Sequence, residues 1–405
     1  MKDLSRRTFA GAIISASSAK AAESKIDETL RKGVAARKIP CVVAAVANGK
    51  STLYTGAFGT RDASGVPVKT DSIFAIASMT KAITSVAALQ LVEQGKVQLD
   101  GDAAKYLPQL SGLKVFTGFD EKHWPQFRPA KTQVTLKHLL THTSGFCYDR
   151  WDEGMFAFSE WQGKNPVAAG GVGPLMFEPG SRWQYGQGID WAGRLVEVVS
   201  GMSLEDYFQS KILRPLEMAD TSFILPEFKF ERWVTRYERD AAGALIPNQR
   251  KQPVAPKSYN GGGGLYSTTA DYVRFMQMIL GGGRGVNGAR IVSAATVKAM
   301  SANQIGGLTA GKMKSFTPAQ SSDVDIQPGH TEKWSLAFLL NTTKYDGGRS
   351  SGSLAWAGLY NTFYWIDPAR DLCAVIMMQF LPFVDKEAVG MLGDFERTVY
   401  GQLKG

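Results

Sequence analysis

A serine and a lysine, Ser78 and Lys81, stand three residues apart in "FAIASMTKAITSVAALQLVEQGK", Phe74 to Lys96. A serine hydroxyl is a weak nucleophile until a base takes its proton, and a lysine becomes such a base when an apolar pocket disfavours its ammonium. Residues i and i+3 share one face of a helix, so the amine would stack over the hydroxyl. Ile73, Phe74 and Ile76 alternate like a strand end. Ala82, Ile83, Val86, Ala87, Leu89 and Leu91 then recur at helical spacing, which places Ser78 where a strand turns into a buried helix. The unpaired N–H groups and positive dipole of a helix start favour an oxyanion there, so the Ser78 amide is a candidate donor to it. S-x-x-K occurs by chance in many chains of this size, and alone it marks a candidate nucleophile and nothing narrower.

Other elements must hold that turn in place. "IPCVVAAVANGKSTLYTGAFG" reads as two strands joined at Asn48-Gly49, the signature of a type I′ hairpin. "KWSLAFLLNTT" and "AGLYNTFYWIDPARDLCAVIMMQF" read as three more strands, the last two joined across Asp367 to Asp371. Two strands at the front and three at the back predict one antiparallel sheet, of five strands or more, closed by distant segments. Helical patterns cover 136–141, 189–199, 204–213 and 271–280, and in "STTADY" Ser267 or Thr268 is the expected cap of the last. The prediction is an α/β (α+β) chain, with a sheet region over about 25–85 and 325–405 and a mostly helical region over about 86–324.

Composition excludes several classes of function. With 405 residues, 44% of them hydrophobic, the chain can bury one large core or two modest ones, and a string of domains is not expected. The net charge of +9 is spread without a basic block or aromatic ladder, so no nucleic-acid partner is expected. No apolar run reaches the ~18 residues of a membrane span, and no stable membrane insertion is expected. Cys41, Cys147 and Cys373 form no C-x-x-C and read as buried free thiols. His138 and His142 share a helical face in "HLLTH", but Leu139 stands where a zincin needs glutamate, so zinc is set aside. At the front, "SRRTFAGAIISASSAKA" pairs Arg6 with Arg7 before a weakly apolar stretch and Ala19-Lys20-Ala21. It resembles a twin-arginine export signal, which makes residues 1–21 a removable leader, residues 22–405 one domain, and the periplasm the expected location. A basic cytoplasmic arm is the alternative.

"SMTK" is followed in order by "TLKHLLTHTSGF", "FEPGSRWQYGQGIDWAGRLVEVVSG", "GGGGLYSTTADYVRFMQMIL" and "GSLAWAGLYNTFYWIDP". This series resembles the serine β-lactamase and penicillin-binding-protein-like superfamily, and within it the family VIII carboxylesterases, which share the class C β-lactamase fold. The similarity runs from about residue 25 to the C-terminus. The resemblance implies Ser78 as nucleophile, Lys81 as its base and Tyr185 as second base and acid. It implies Trp356-Ala357-Gly358 in place of the K-T-G strand, with Trp356 as a pocket wall, Gly358 admitting a substrate carbonyl, and the Leu359 amide as second oxyanion donor. Gln187, placed with the substrate pocket, departs from the asparagine of the β-lactamases. Tyr148 to Trp161 is either a lip over the acyl pocket or an ordinary surface loop.

Gly348-Arg349-Ser350-Ser351-Gly352 also fits G-x-S-x-G, but no histidine follows His330, so Ser350 lacks a base and reads as part of a turn. The expected activity is hydrolysis of short-chain carboxylic esters through an acyl-serine, on a small-molecule substrate and without metal or organic cofactor. Alternatives are a β-lactamase or D,D-peptidase, an amidase, an acyltransferase, and, outside catalysis, an inactive binder of cell-wall fragments. Trp356 carries no charge where the K-T-G lysine would meet a carboxylate, so uncharged esters are the expected preference, with Arg349, seven residues upstream, as the expected substitute cation for weak residual β-lactam hydrolysis.

Overall fold

Cys41–Ala47, CVVAAVA, is apolar along its whole length, and a strand of that kind is stable only inside a sheet covered on both faces. The computed structural model describes residues 14–165, 172–240 and 242–402, and the side chains from residue 25 onward among them. In it Cys41–Ala47 is the second strand of a seven-stranded antiparallel sheet. The order is Thr52–Gly59, Cys41–Ala47, Leu372–Met377, Thr362–Asp367, Leu354–Gly358, Leu339–Asn341 and Glu332–Trp334. Front and back of the chain meet where Val43 pairs with Met377 and Ala47 with Cys373.

Alternation along Thr362–Asp367 shows how each face is covered. The Tyr364 ring points to Tyr272 on the helix Thr269–Leu280, centroids 4.9 Å apart. Trp365, on the other face, meets Phe395 of the C-terminal helix Lys386–Gln402 at 5.6 Å. That helix is tied to the N-terminal helix Ile14–Arg37 by Arg37, which pairs with Glu387 and Asp394. All three cysteines are free and buried, Cys41 and Cys373 in adjacent strands.

Two details of the sheet correct the sequence reading. The front hairpin forms, but its turn is not type I′, since neither Asn48 nor Gly49 has positive φ. The Asn48 side chain holds the loop instead, accepting from the amides of Lys50 and Ser51 at 2.9 and 2.8 Å. At the back, five strands replace three. "KWSLAFLLN" folds on itself at Ser335, whose hydroxyl accepts from the amides of Ala337 and Phe338. "SLAWAGLYNTFYWID" likewise turns at Asn361, at φ +63°, so Leu354–Gly358 pairs antiparallel with Thr362–Asp367.

The helical patterns appear as Leu136–Leu140, Gly188–Ser200, Leu204–Phe208 continued by a wider turn over Gln209–Leu213, and Thr269–Leu280. Thr268 caps the last, its hydroxyl accepting from the Asp271 amide at 3.2 Å. Arg6 and Arg7 lie outside the described residues. Ala19 to Ala21 fall within the first helix, so cleavage after Ala21 would remove its opening turns.

The candidate nucleophile sits at the hinge of this architecture. The short strand Phe74–Ala75 pairs with Tyr266–Ser267, a tight turn over Ala77–Met79 follows, and the helix Thr80–Glu93 then runs through the interior with all but its last two residues buried. Ala77 enters that turn at φ +43°, a conformation that non-glycine residues hold only at a cost of about 1–3 kcal/mol.

Candidate active site

Lys81 is fully buried on the first turn of its helix, and its Nζ lies 3.2 Å from the half-buried Ser78 Oγ, the contact expected from i, i+3 spacing. Two further oxygens complete its surroundings. Nζ donates to the Gly262 carbonyl and lies 3.2 Å from the Tyr148 hydroxyl. Tyr148 in turn donates to Asp190 Oδ2 at 2.9 Å, while Asp190 Oδ1 accepts from the Gly262 amide at 2.9 Å.

This connectivity orients the amine. A phenol has one proton, and Tyr148 gives it to Asp190, so toward Lys81 it can only accept. The Gly262 carbonyl likewise only accepts. Two N–H bonds of Lys81 are thereby fixed, and the remaining valence of the nitrogen faces Ser78 Oγ. In the neutral amine that valence is the lone pair, aimed at the hydroxyl proton. Gly262 allows the close approach, since a Cβ there would lie 2.5 Å from both Asp190 carboxylate oxygens. Burial pushes the Tyr148 phenol well above its usual range and Asp190 adds to the rise, so Tyr148 is a neutral hydroxyl at physiological pH. Burial also raises Asp190, against the pull of Lys81.

Tyr185 packs against Tyr148, ring centroids 5.5 Å apart, and its own centroid lies 4.8 Å from Lys81 Nζ. The phenol that hydrogen-bonds Lys81 is thus Tyr148, whereas Tyr185 receives a hydrogen bond from Trp356 Nε1 at 3.0 Å. His142 braces Tyr185 from below, ring centroids 4.5 Å apart, and accepts from the Gly186 amide through Nδ1. Burial and the nearby Lys81 hold His142 well below its ordinary pKa, so it is a neutral imidazole, and it does not line the cleft onto which Ser78 opens. The sequence offered Tyr148 only as part of an aromatic lip and did not offer Asp190. "IDWAG" on a helix gave no sign that its aspartate is the hydrogen-bond partner of a phenol 42 positions away.

Ser78, Tyr148, Tyr185, Trp356 and Leu359 all open onto one cleft of about 350 Å³. Trp356 is its wall, and Tyr148 and Trp151 supply the aromatic lip. Two sequence assignments are corrected. Gln187 is exposed at the N-terminus of Gly188–Ser200 and does not line the cleft. Gly358 does not admit a substrate carbonyl: a Cβ there would lie 2.2 Å from the Ile76 carbonyl oxygen, so the glycine lets the Leu354–Gly358 strand approach the Ser78 turn. Leu359, one residue on, reaches the cleft at the start of the Asn361 turn.

The cations also differ from expectation. Arg349 is buried in an ion pair with Glu396, Nη2 to Oε2 2.6 Å, and is absent from the cleft lining. Arg150 and Arg236 line the cleft instead. Ser350 belongs to a turn, its amide donating to Asp367 Oδ2 at 2.9 Å.

An antiparallel sheet flanked by terminal helices, with S-x-x-K at its junction with a helical region, is the architecture of the serine β-lactamase and penicillin-binding-protein-like fold. The chain belongs to the Beta-lactamase family, whose profile matches residues 26–391. It is 30% identical over 369 residues to a lovastatin esterase of Penicillium rubens, covering 87% of this chain and 88% of that one. It is 28% identical over 431 residues to a monacolin J acid methylbutanoyltransferase of Aspergillus terreus, covering 97% and 99%. Among solved structures, a simvastatin synthase mutant from Aspergillus terreus superposes with a TM-score of 0.80 at 28% identity, covering 99% of this chain and 100% of that one. The family places the chain among enzymes acting on esters or amides.

Proposed function

We propose that the protein is a serine carboxylesterase, of the kind its likeness to family VIII implies, cleaving short-chain carboxylic esters through an acyl-Ser78 intermediate. The observation that carries this is the amine of Lys81 held 3.2 Å from Ser78 Oγ by two acceptor-only partners. Ser78 attacks the ester carbonyl carbon and its proton passes to Lys81. The amides of Ser78 and Leu359 hold the oxyanion. Collapse expels the alcohol, to which Tyr185 gives a proton; because Trp356 donates to Tyr185, the phenol keeps its own proton free for that step. Water then attacks the acyl carbon and gives a proton to the Tyr185 phenolate left by the first half-reaction, and Ser78 leaves with the proton held on Lys81, which releases the acid and restores the enzyme.

The same intermediate serves an acyltransferase when an alcohol replaces water, and the 28% identity to a methylbutanoyltransferase across 97% of the chain supports this second reading. The twin-arginine reading of Arg6 and Arg7 adds periplasmic export, checked by finding the native N-terminus near Ala22. The test of activity compares kcat/KM for p-nitrophenyl butyrate with that for a chromogenic cephalosporin, with and without a short alcohol. Efficient ester turnover is expected, and added alcohol yielding a new ester identifies transfer. A cephalosporin turned over as well as the ester would defeat the esterase reading.

A further inference from the structure

The cleft is lined by two arginines and, among its described lining residues, by no aspartate or glutamate. The Arg236 guanidinium carries five N–H donors. Among the described residues its one side-chain hydrogen bond is to a neutral group, Nη1 to the Tyr360 hydroxyl at 2.9 Å, and its buried Nε has no partner. Arg150 is similar: Nε and Nη2 share the Gln320 side-chain oxygen, and its guanidinium lies over Trp151. Neither arginine makes an ion pair among the described residues, whereas Arg349, the cation expected from sequence, is neutralised by Glu396. A concave site walled by one sign of charge concentrates the opposite sign. Tyr360 follows Leu359, so Arg236 is anchored one residue from the proposed oxyanion amide.

We propose that Arg236, assisted by Arg150, forms an anion subsite that takes a carboxylate carried by the ester substrate. This rests on the esterase reading above and narrows it to anionic esters, reversing the preference for uncharged esters inferred from Trp356. The carboxylate belongs either to the acyl group, as in a half-ester of a dicarboxylic acid, or to the alcohol, as in an ester of a hydroxy acid. A charge-assisted hydrogen bond to a guanidinium recognises both alike.

Three substrates separate the cases: p-nitrophenyl butyrate, the mono-p-nitrophenyl ester of glutarate, and 3-butyryloxybenzoate. The readout is the ratio of kcat/KM for each anionic ester to that for the neutral one. Arg236→Gln, which retains a donor for Tyr360, is expected to lower that ratio about ten- to hundredfold for the ester whose carboxylate reaches the subsite. Arg236→Lys should restore part of it, because a point charge remains. Ratios unchanged in Arg236→Gln for both anionic esters overturn the subsite. Should the wild-type enzyme hydrolyse none of the three, the esterase reading fails instead. The subsite is then read without turnover, by calorimetric titration of the mono-anilide of glutarate into Ser78→Ala protein. Binding lost on adding Arg236→Gln supports it, and binding unaffected or absent throughout overturns it.

Discussion

Trp356 Nε1 donates to the Tyr185 hydroxyl at 3.0 Å, and this contact joins the outer wall of the cleft to the ring beside Lys81. Trp356→Phe keeps an aromatic wall and deletes the donor. One neutral hydrogen bond is worth about 1 kcal/mol, so kcat should fall about fivefold, with the melting temperature little changed. A kcat equal to wild type would show that the indole N–H does not orient Tyr185.

Ser78 and Ser350 are separated by a labelling experiment. A fluorophosphonate should modify Ser78, and Ser78→Ala should remove ester hydrolysis by several orders of magnitude, whereas Ser350→Ala should keep most of it. Peptide mapping of the adduct decides between them, and an adduct on Ser350 would refute the Ser78 mechanism.

Tyr148→Phe takes from Lys81 an acceptor and from the half-buried Asp190 a donor. A part-buried carboxylate deprived of its donor costs about 1 kcal/mol or more, and the amine loses one of the contacts that aims it. We expect kcat to fall about ten- to hundredfold together with a lower melting temperature. Asp190→Asn should reduce kcat as well, since Tyr148 is then free to turn its proton toward the amine. Wild-type kcat in both variants would dissociate this chain of contacts from catalysis.

Gly358→Ala tests the approach of the sheet to the nucleophile turn. A Cβ 2.2 Å from the Ile76 carbonyl oxygen must push the two apart, and backbone-on-backbone overpacking of this kind costs about 1–3 kcal/mol. Thermal denaturation should show the loss, and ester hydrolysis should fall further than stability alone explains, because Leu359 moves with the strand. Unchanged activity would argue against the Leu359 amide as an oxyanion donor.

Glu332 predicts a pH effect away from the site. Burial raises its carboxyl from 4.5 to about 7, against a hydrogen bond from Tyr345. The folded value lies above the unfolded one, so this residue's favourable contribution is complete below about pH 4.5 and is lost as pH rises through about 7. Above that, the ionised group costs on the order of 3 kcal/mol. Glu332→Gln should therefore melt higher than wild type at about pH 8 and show a flatter stability profile from about pH 5 upward. Identical profiles for the two proteins would rule this out.

How much could be read from the sequence follows from the range of each contact. Ser78 and Lys81 were legible because i, i+3 spacing is local, and the sheet because long apolar runs mark its strands. Tyr148 and Asp190 were not, since Lys81 reaches Tyr148 across 67 positions of chain. Gln187 was misplaced because a helix begins at Gly188 and leaves it outside the cleft. Strands were merged where turns use unremarkable residues: Ser335 to Phe338 contains neither glycine nor proline. Arg236 carried no motif, and its place on the cleft wall depends on pairing of Phe380 with Tyr237 from the far end of the chain.

The pairing of Val43 with Met377 also sets the timing of biosynthesis. The ribosome makes the hairpin of Cys41–Ala47 and Thr52–Gly59 first and its partner strand almost last. At about 10 residues per second, the inner edge of an apolar strand waits on the order of half a minute for its neighbour. Nascent chains in that interval present an unpaired, wholly apolar edge, a template for aggregation. Truncation before Leu372 should consequently yield insoluble protein in place of a smaller enzyme, because it removes the strand that an N-terminal strand has been waiting for.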